Sequence, residues 1–367
     1  MQHKPHLLND TQELIDSEAP QAMSPERAAS LASPPDAILR DATRYVIGVD
    51  IGGTSLRLAL ANGAGRILGR WSASTAGTGD AATILRLMRD GVDALLREAS
   101  LPSHSLSAIA AGAPGVTNAD EGIVIATSYL MGWRDVPFRH MLETEFGIPA
   151  FVDNDVNVAA IGELRAGLAQ GTTDFVFLAI GTGIGAGIVL NNEVHRGGIW
   201  TAGEIGYMLV PGTSDAPVER GQPGALESLV GGEGIRQQWR SVWSDKSTSL
   251  PIDATATQVF DQALKGDALA KGVLDRTARA LSYAIHNIAL VLNSPLFVLG
   301  GSVGIHPALG DATRVILLER GTRAQPRLVS SALGADAQLI GAIFLALETA
   351  ERNLANKETV ATQSTLA

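Results

Sequence analysis

The chain has no cysteine, which removes disulfides, thiolate metal ligands and a cysteine nucleophile from consideration. It is also short of positive charge: 28 Lys and Arg face 38 Asp and Glu, a formal net charge of −10. Neutralising a phosphate backbone needs a basic surplus, so nucleic acid is not expected as a partner. No apolar run reaches the roughly 18 to 20 residues of a membrane span. The longest candidate, residues 278–300, is broken by His286, Asn287, Asn293 and Pro295. Residues 1–43 carry Pro20, Pro25, Pro34 and Pro35 among scattered acids and lack the basic start and apolar core of a signal peptide. They read as a tail, and the expected location is the cytoplasm, with no membrane partner. What remains of the 367 residues, with 46 % hydrophobic content overall, suffices for two domains of about 100 to 200 residues each.

Two stretches share one plan. Residues 46–70 (VIGVDIGGTSLRLALANGAGRILGR) and 175–198 (FVFLAIGTGIGAGIVLNNEVHRGG) each run from an apolar segment through a Gly/Thr loop to a second apolar segment, an Asn turn and a third extended run. Each reads as an antiparallel meander of three strands. Small loop residues leave backbone N–H groups free to face one anion. Two such loops on matching scaffolds point to one polyphosphate held from both sides.

Between the meanders, residues 81–100 space Ile84, Leu85, Leu87, Met88, Val92, Leu95 and Leu96 as an amphipathic helix. Apolar run 106–111 leads to the loop GAPG (112–115). Further short runs follow at 122–126 and 150–152, with a helix-like segment at 138–146. A helical stretch closed by Gly171 follows Asn154 and Asp155. A long helical region covers 257–292, Asn293 to Pro295 break it, and LFVLGG reads as a strand. The last helix is expected over 337–351, ahead of a polar tail, 352–367. Strands alternating with helices define an α/β chain with mixed sheets.

Three motifs carry chemistry. DIGGTSLR (50–57) ends a buried strand with an acid: Asp50 could hold Mg²⁺ through water while Gly52, Gly53 and Thr54 meet phosphate oxygens and Arg57 adds charge. The bland alternative is a strand turn with a solvated Asp. GTGIGAG (181–187) has a GxGxxG-like spacing, but a dinucleotide fingerprint opens a helix, and this one continues into a hairpin. Gly300-Gly301 after a strand could let a nucleoside approach the backbone, or could be only a turn. Asp155, at a helix start, is the candidate base; the helix field should hold its pKa down. Asn154 offers a donor and an acceptor to a polyol, although either residue could equally serve as an N-cap. Glu204 and Glu227 lie in Gly-rich loops as candidate hydroxyl ligands, and His195 and His286 read as structural.

Taken in order, DIGGTSLR, VDNDVNVAAIGE (152–163), AIGTGIGAGIV, AGEIGYM (202–208), GALESLVGG (224–232) and the block from GDALAKG to FVLGG resemble the ROK family. That family groups bacterial repressors, open-reading-frame proteins and sugar kinases such as glucokinase, fructokinase and N-acetylmannosamine kinase. The similarity spans about residues 46–348. It implies an actin-like ATPase (ribonuclease H-like) fold, with one domain over 44–152 plus the helix 337–351 and a larger one over 153–336. It further implies ATP and Mg²⁺ in the cleft, faced by Asp50, Gly52, Gly53, Thr54 and Arg57 on one side and Thr182 and Gly183 on the other. Gly300 and Gly301 would serve the nucleoside. Asp155 matches the base that deprotonates a sugar hydroxyl, while Asn154, Glu204, Glu227, Tyr207, Ser128 and Gly115 fall at sugar-side positions. A homodimer is implied as well.

The departures concern metal and substrate. Family members commonly hold zinc through the His of GExGH and three cysteines of CxCGxxGCxE. Here those places are Tyr207, Val218, Arg220 and Ala225, while Gly221, Gly224 and Glu227 remain. With all four ligands gone, no zinc is expected. The same His touches sugar in the family; a phenol can hydrogen-bond a hydroxyl but is bulkier and no base near neutral pH. SYLMGW (128–133) also lacks the Asn usual before LPGW in glucokinases. The reading is therefore an ATP-dependent kinase of a hexose or hexose derivative, the alternative being a non-catalytic sugar-binding regulator or sensor.

Overall fold

A computed structural model of the chain describes residues 44–77, 80–127, 130, 132–218, 222–321 and 325–365, with side chains as far as 359. The expected tail 1–43, Ser128, Arg220 and Gly221 lie outside the described residues.

The two meanders of the sequence become the edges of two sheets with one plan. In the first, β1 (Tyr45–Ile51), β2 (Ser55–Asn62) and β3 (Ile67–Ser74) pair antiparallel, and β4 (Leu106–Ala113) and β8 (Ala150–Asn154) extend β1 in parallel, giving the order β3-β2-β1-β4-β8. In the second, β9 (Phe175–Ile180), β10 (Ile184–Leu190) and β11 (Glu193–Val194) form the meander. β12 (Leu296–Gly300) and β13 (Arg327–Ser330) add in parallel, giving β11-β10-β9-β12-β13. A small antiparallel sheet, β5 (Val116–Asn118), β6 (Ile123–Ala126) and β7 (Arg134–Val136), follows β4.

Helices cover the sheets according to their apolar faces. Helix α1 (Ala81–Glu98) buries Ile84, Met88, Val92 and Leu95 against Ile47, Val49 and Leu58 of the first sheet, and α2 (Phe138–Phe146) joins that core through Phe138 and Leu142. Helix α3 (Asp155–Ala166) is buried on all sides from Asn157 to Glu163, as its run of small and apolar residues requires. Val158 and Ile161 pack toward the first sheet, while Ala159 and Ala160 pack on Phe175 and Phe177 of the second. The second sheet's other face carries α4 (Glu227–Val230), α5 (Gly232–Val242), α6 (Ala256–Leu264), α7 (Ala268–Leu292), α8 (Gly301–Gly304) and α9 (Pro307–Glu319) around Trp239, Phe260 and Ile285. The C-terminal α10 (Ala337–Thr365) returns to the first sheet beside α3. That contact is close enough that a Cβ on Gly341 would fall 1.8 Å from the Val158 carbonyl oxygen.

Three boundaries differ from the pattern in the sequence. Helix α3 stops at Gly167, not Gly171, because the Glu163 carboxylate turns back to accept from Leu168 N at 3.0 Å. The region 257–292 is two helices: Gly266, at φ +93°, breaks it and Asp267 caps α7 by accepting from Ala270 N. The last helix continues past Glu351 to Thr365. Apolar burial ends near Ala350, but backbone hydrogen bonding propagates beyond it through a segment with several good helix formers, among them Glu351, Arg352, Leu354, Ala355, Lys357 and Glu358. Among the described residues, no helix is long and apolar enough to cross a membrane.

Candidate active site

The duplicated plan brings two loops and one helix start together. Strand β1 ends at Asp50-Ile51, and the next residues turn sharply, with Gly52 N donating to Ser55 O at 2.8 Å. Strand β9 ends at Ile180, and Gly181 N donates to Gly183 O at 3.0 Å. In both loops the following N–H groups, those of Gly53 and Thr54 and of Thr182 and Gly183, donate to no acceptor among the described residues. Four free donors at two strand ends suit a polyanion. The second loop is braced from behind: Gly232 N donates to Gly181 O at 2.8 Å and Glu233 N to Thr182 O at 3.2 Å.

Asp50 is 5 % exposed and does not stand alone. Arg57, its cross-strand partner, donates Nε–H to Asp50 Oδ2 at 2.7 Å, with Nη2 at 2.5 Å from the same oxygen. With its amide nitrogen turned inward, Gln338 of α10 donates to Oδ1 at 3.1 Å. Burial raises the Asp50 pKa, and Arg57 opposes that rise. The guanidinium that the sequence assigned to phosphate is thus committed to this carboxylate.

Asn154 is the N-cap of α3 and Asp155 its first residue. Asn154 Oδ1 accepts from Val156 N at 2.9 Å and Asn157 N at 3.1 Å, and Nδ2 donates to the Gly115 carbonyl at 2.9 Å. Both lone pairs of the oxygen are used, so Asn154 retains one amide hydrogen for a ligand and no acceptor, a correction to the donor-and-acceptor expectation. Gly115 acts through its carbonyl, as the anchor of Asn154.

The expected sign of the Asp155 shift is reversed. Its carboxyl is pushed up to about 7, first by loss of water around it and then by the Asp50 charge, with Glu204 adding to them; hydrogen bonds from the Val156 and its own backbone N–H only partly compensate. The helix field is outweighed by burial among like charges. Glu204, which opens to solvent on one side, is raised by the surrounding protein and then by Glu227. Glu227, raised by burial, accepts from Ile184 N at 3.2 Å, immediately after the second Gly/Thr loop. Carboxylates 50, 155, 204 and 227, scattered through the sequence, therefore share one electrostatic neighbourhood.

Tyr207 follows Glu204 on a single 3-10 turn, Ile205–Tyr207; its side chain is 58 % exposed and its hydroxyl has no partner among the described residues. Of the residues expected to fall where relatives hold zinc, Val218 is exposed and Ala225 buried. Among the described residues no group of three or more His, Cys, Asp or Glu is placed to hold a metal ion. Gly300 and Gly301 lie where β12 passes into α8, but their lack of a side chain answers to internal packing. A Cβ on Gly300 would meet the Phe177 ring at 2.1 Å, and one on Gly301, at φ +77°, the Ile180 carbonyl at 2.4 Å.

Two polar residues at the site escape the sequence reading. Asp153 is fully buried, and its Oδ2 accepts from Arg196 Nε at 2.9 Å and Nη2 at 2.6 Å. An acid inside the apolar strand AFVDN is a signal for a buried partner. Nothing local identifies Arg196 as that partner.

Two sheets of identical order, each with a donor loop at a strand end and joined through a buried helix, are the actin-like ATPase fold. The ROK family profile matches residues 46–349, and the chain belongs to that family. The chain is 35 % identical over 315 residues to a glucokinase of Halalkalibacterium halodurans, covering 82 % of this chain and 94 % of the relative. A xylose repressor of Caldicellulosiruptor bescii is 24 % identical, over 76 % of this chain and 71 % of the repressor. The crystal structure of a ROK family glucokinase from Streptomyces griseus in complex with glucose and AMPPNP superposes with a TM-score of 0.70 at 26 % identity, covering 83 % of this chain and 99 % of that one.

Proposed function

We propose that this chain is an ATP-dependent sugar kinase that transfers the γ-phosphate to a hydroxyl of a hexose or hexose derivative. The observation that carries the reading is Asp155: the first residue of a buried helix, capped by Asn154 and set in the charge field of Asp50 and Glu204, with its carboxyl pushed up to about 7. A base with pKa near the working pH is both ionised and strong enough to take a hydroxyl proton as the oxygen attacks. Glu204 and Glu227, together with the remaining amide hydrogen of Asn154, supply acceptors and a donor to orient the hydroxyls of a sugar. The N–H groups of Gly53, Thr54, Thr182 and Gly183, unpaired among the described residues, suit the phosphates; the nucleoside is assigned to the strand end at Gly300-Gly301, although packing on Phe177 and Ile180 already accounts for those glycines. Arg57 takes Asp50 Oδ2 and Gln338 one lone pair of Oδ1, so the remaining Oδ1 lone pair is what would reach Mg²⁺, through a water ligand. When bound, that ion would offset charge on the phosphates. Zinc has no part in this reading, because Tyr207, Val218, Arg220 and Ala225 stand where its ligands would be.

The test is ADP release from Mg-ATP across aldohexoses, ketohexoses and N-acetylated sugars, with Asp155→Asn as control. We expect turnover on at least one sugar and a loss of about 10² to 10⁴-fold in kcat in the variant, with sugar and nucleotide binding retained. One observation favours a second reading, a non-catalytic sugar-binding regulator: the residue after Gly206 is an exposed tyrosine whose hydroxyl has no partner among the described residues. Sugar binding without turnover on any member of the panel would move the assignment there.

A further inference from the structure

Arg196 joins two parts of the site that come from different halves of the chain. Its side chain leaves the segment after β11 and forms a two-nitrogen contact with Asp153, the last residue before Asn154 and Asp155, at 2.9 and 2.6 Å. Asp153 Oδ1 in turn accepts from the Asn154 backbone N–H at 2.7 Å and from Asn157 Nδ2 at 3.2 Å. The carboxylate is fully buried and the guanidinium side chain 25 % exposed. On the other side, the Arg196 carbonyl accepts from Ala202 N at 3.2 Å, two residues before Glu204. That loop is further fixed where the Gly203 carbonyl accepts from Ala186 N at 2.9 Å. One residue thus reaches the turn that presents Asp155 and the loop that presents Glu204.

From this juxtaposition we propose that Arg196, through Asp153, is a positioning residue that sets the distance between the base Asp155 and the substrate carboxylate Glu204. This deepens the kinase reading and rests on it. The chemistry of the pair fits the role. A planar guanidinium offers two parallel N–H bonds and so fixes orientation as well as distance, whereas an ammonium in the same place keeps the charge and loses the fork. A buried ion pair is weak evidence for stability, since well-packed apolar residues often do as well. Its use here is directional: with Asp153 Oδ2 occupied by Arg196, Oδ1 is left to order the first turn of α3. A lengthened or tilted contact would move Asp155 without touching sugar or nucleotide. Catalysis is sensitive to such shifts, as a misplacement near 1 Å can cost on the order of 10²-fold.

The experiment compares Arg196→Lys and Arg196→Gln with the wild-type full-length protein by two readouts. The first is hydrogen exchange at the backbone amides of residues 154–157, which needs no turnover. The second is kcat and KM for the best sugar of the panel and for Mg-ATP, normalised to folded protein. We expect both variants to fold, protection to fall selectively at 154–157, and kcat to drop about tenfold or more with each KM within threefold, Arg196→Lys falling between wild type and Arg196→Gln. Unchanged protection at 154–157, or unchanged kcat per folded molecule, would overturn the proposal. Failure of both variants to fold would overturn it too, because the pair would then be a stability element. If wild-type protein phosphorylates no sugar, the kinase reading fails, while the exchange data still decide whether Arg196 orders the turn.

Discussion

The loop after β1 and the loop after β9 hold the same place in two sheets of the same strand order, yet they carry different chemistry. The first begins with a buried acid, Asp50, neutralised by Arg57 and contacted by Gln338 from the far end of the chain. The second, Gly181 to Gly183, has no charged residue of its own and is supported from behind by Gly232, Glu233 and the Glu227 carboxylate on Ile184. The shared scaffold supplies free N–H donors at both strand ends. What differs is where charge is placed: inside the first loop, and behind the second. Duplication of a fold therefore repeats the place of a donor loop, while side chains set the two halves apart.

If the first loop is the charged half of the site, removing its charge should have the larger effect. Asp50→Asn is expected to lower kcat for Mg-ATP-dependent phosphorylation by about 10² to 10³-fold, the loss typical of one pre-set electrostatic group. Activity within threefold of wild type would show that the two loops are equivalent and that Asp50 only satisfies Arg57. In the second half the same comparison can be made between glycines. Gly301→Ala puts a Cβ 2.4 Å from the Ile180 carbonyl at a φ of +77°, so a loss of about 2 kcal/mol or more is expected in urea unfolding. Gly181→Ala meets nothing within 4 Å, so its stability should stay near wild type. Its methyl group narrows the open loop, and the KM for Mg-ATP should rise about tenfold, equivalent to roughly 1.4 kcal/mol. A stable Gly301→Ala protein would undo the packing account of that residue.

The carboxylate cluster between the loops predicts a pH dependence of stability. Asp155 is raised from 3.8 to about 7 in the folded protein, so between those values the native state binds more protons than the unfolded chain. Stability contributed by this group is complete below about 4 and is lost as pH rises through about 7. Asp50, Glu163, Glu204 and Glu227, all raised, act in the same direction. Wild-type Tm should therefore fall between pH 5 and pH 7.5, and Asp155→Asn should fall less, gaining about 2 °C or more on wild type at the upper end. A larger fall in the variant would contradict the sign of the shift. The activity of the wild type should decline below pH 7 as Asp155, the proposed base, becomes protonated.

The sequence carries the sheets clearly because each meander is a local pattern: three apolar runs, a Gly/Thr loop and an Asn turn within about 25 residues. Residues 50, 155, 204 and 227 could be selected because acids beside Gly-rich loops or at a helix start stand out locally. Their mutual effect could not, since the Asp155 shift depends on Asp50 and Glu204 arriving from 105 and 49 residues away, and a single helix-field argument gives the wrong sign. The same limit hid the Arg196–Asp153 and Gln338–Asp50 contacts, whose partners lie 43 and 288 positions apart. Where α3 ends was missed for a related reason: the Glu163 side chain overrides the periodicity by accepting from Leu168 N, while Ser331, just past β13, donates to its other oxygen.

The smallest predicted effects lie at the hairpin tips, where the halves again solve one problem differently. Between β2 and β3 the chain reverses with Gly65 at φ +76° while Asn62 Oδ1 accepts from the N–H groups of Ala64 and Arg66 at 3.2 and 3.0 Å. Between β10 and β11 two asparagines do the work, Asn191 at φ +54° and Asn192 at φ +64°, with Leu190 paired to Glu193 across them. Two left-handed residues in a two-residue loop match the twist of the flanking strands, and asparagine accepts that conformation at little cost. Gly65→Ala should therefore cost about 1 to 2 kcal/mol, because alanine has no such tolerance. Asn192→Gly removes a Cβ from a position already left-handed and should change stability by less than about 1 kcal/mol, with Tm moving by at most a few degrees. Thermal melts of the two variants side by side decide the matter: equal destabilisation would mean that the second tip depends on its asparagine side chain, and that the halves differ less in their turns than the backbone angles indicate.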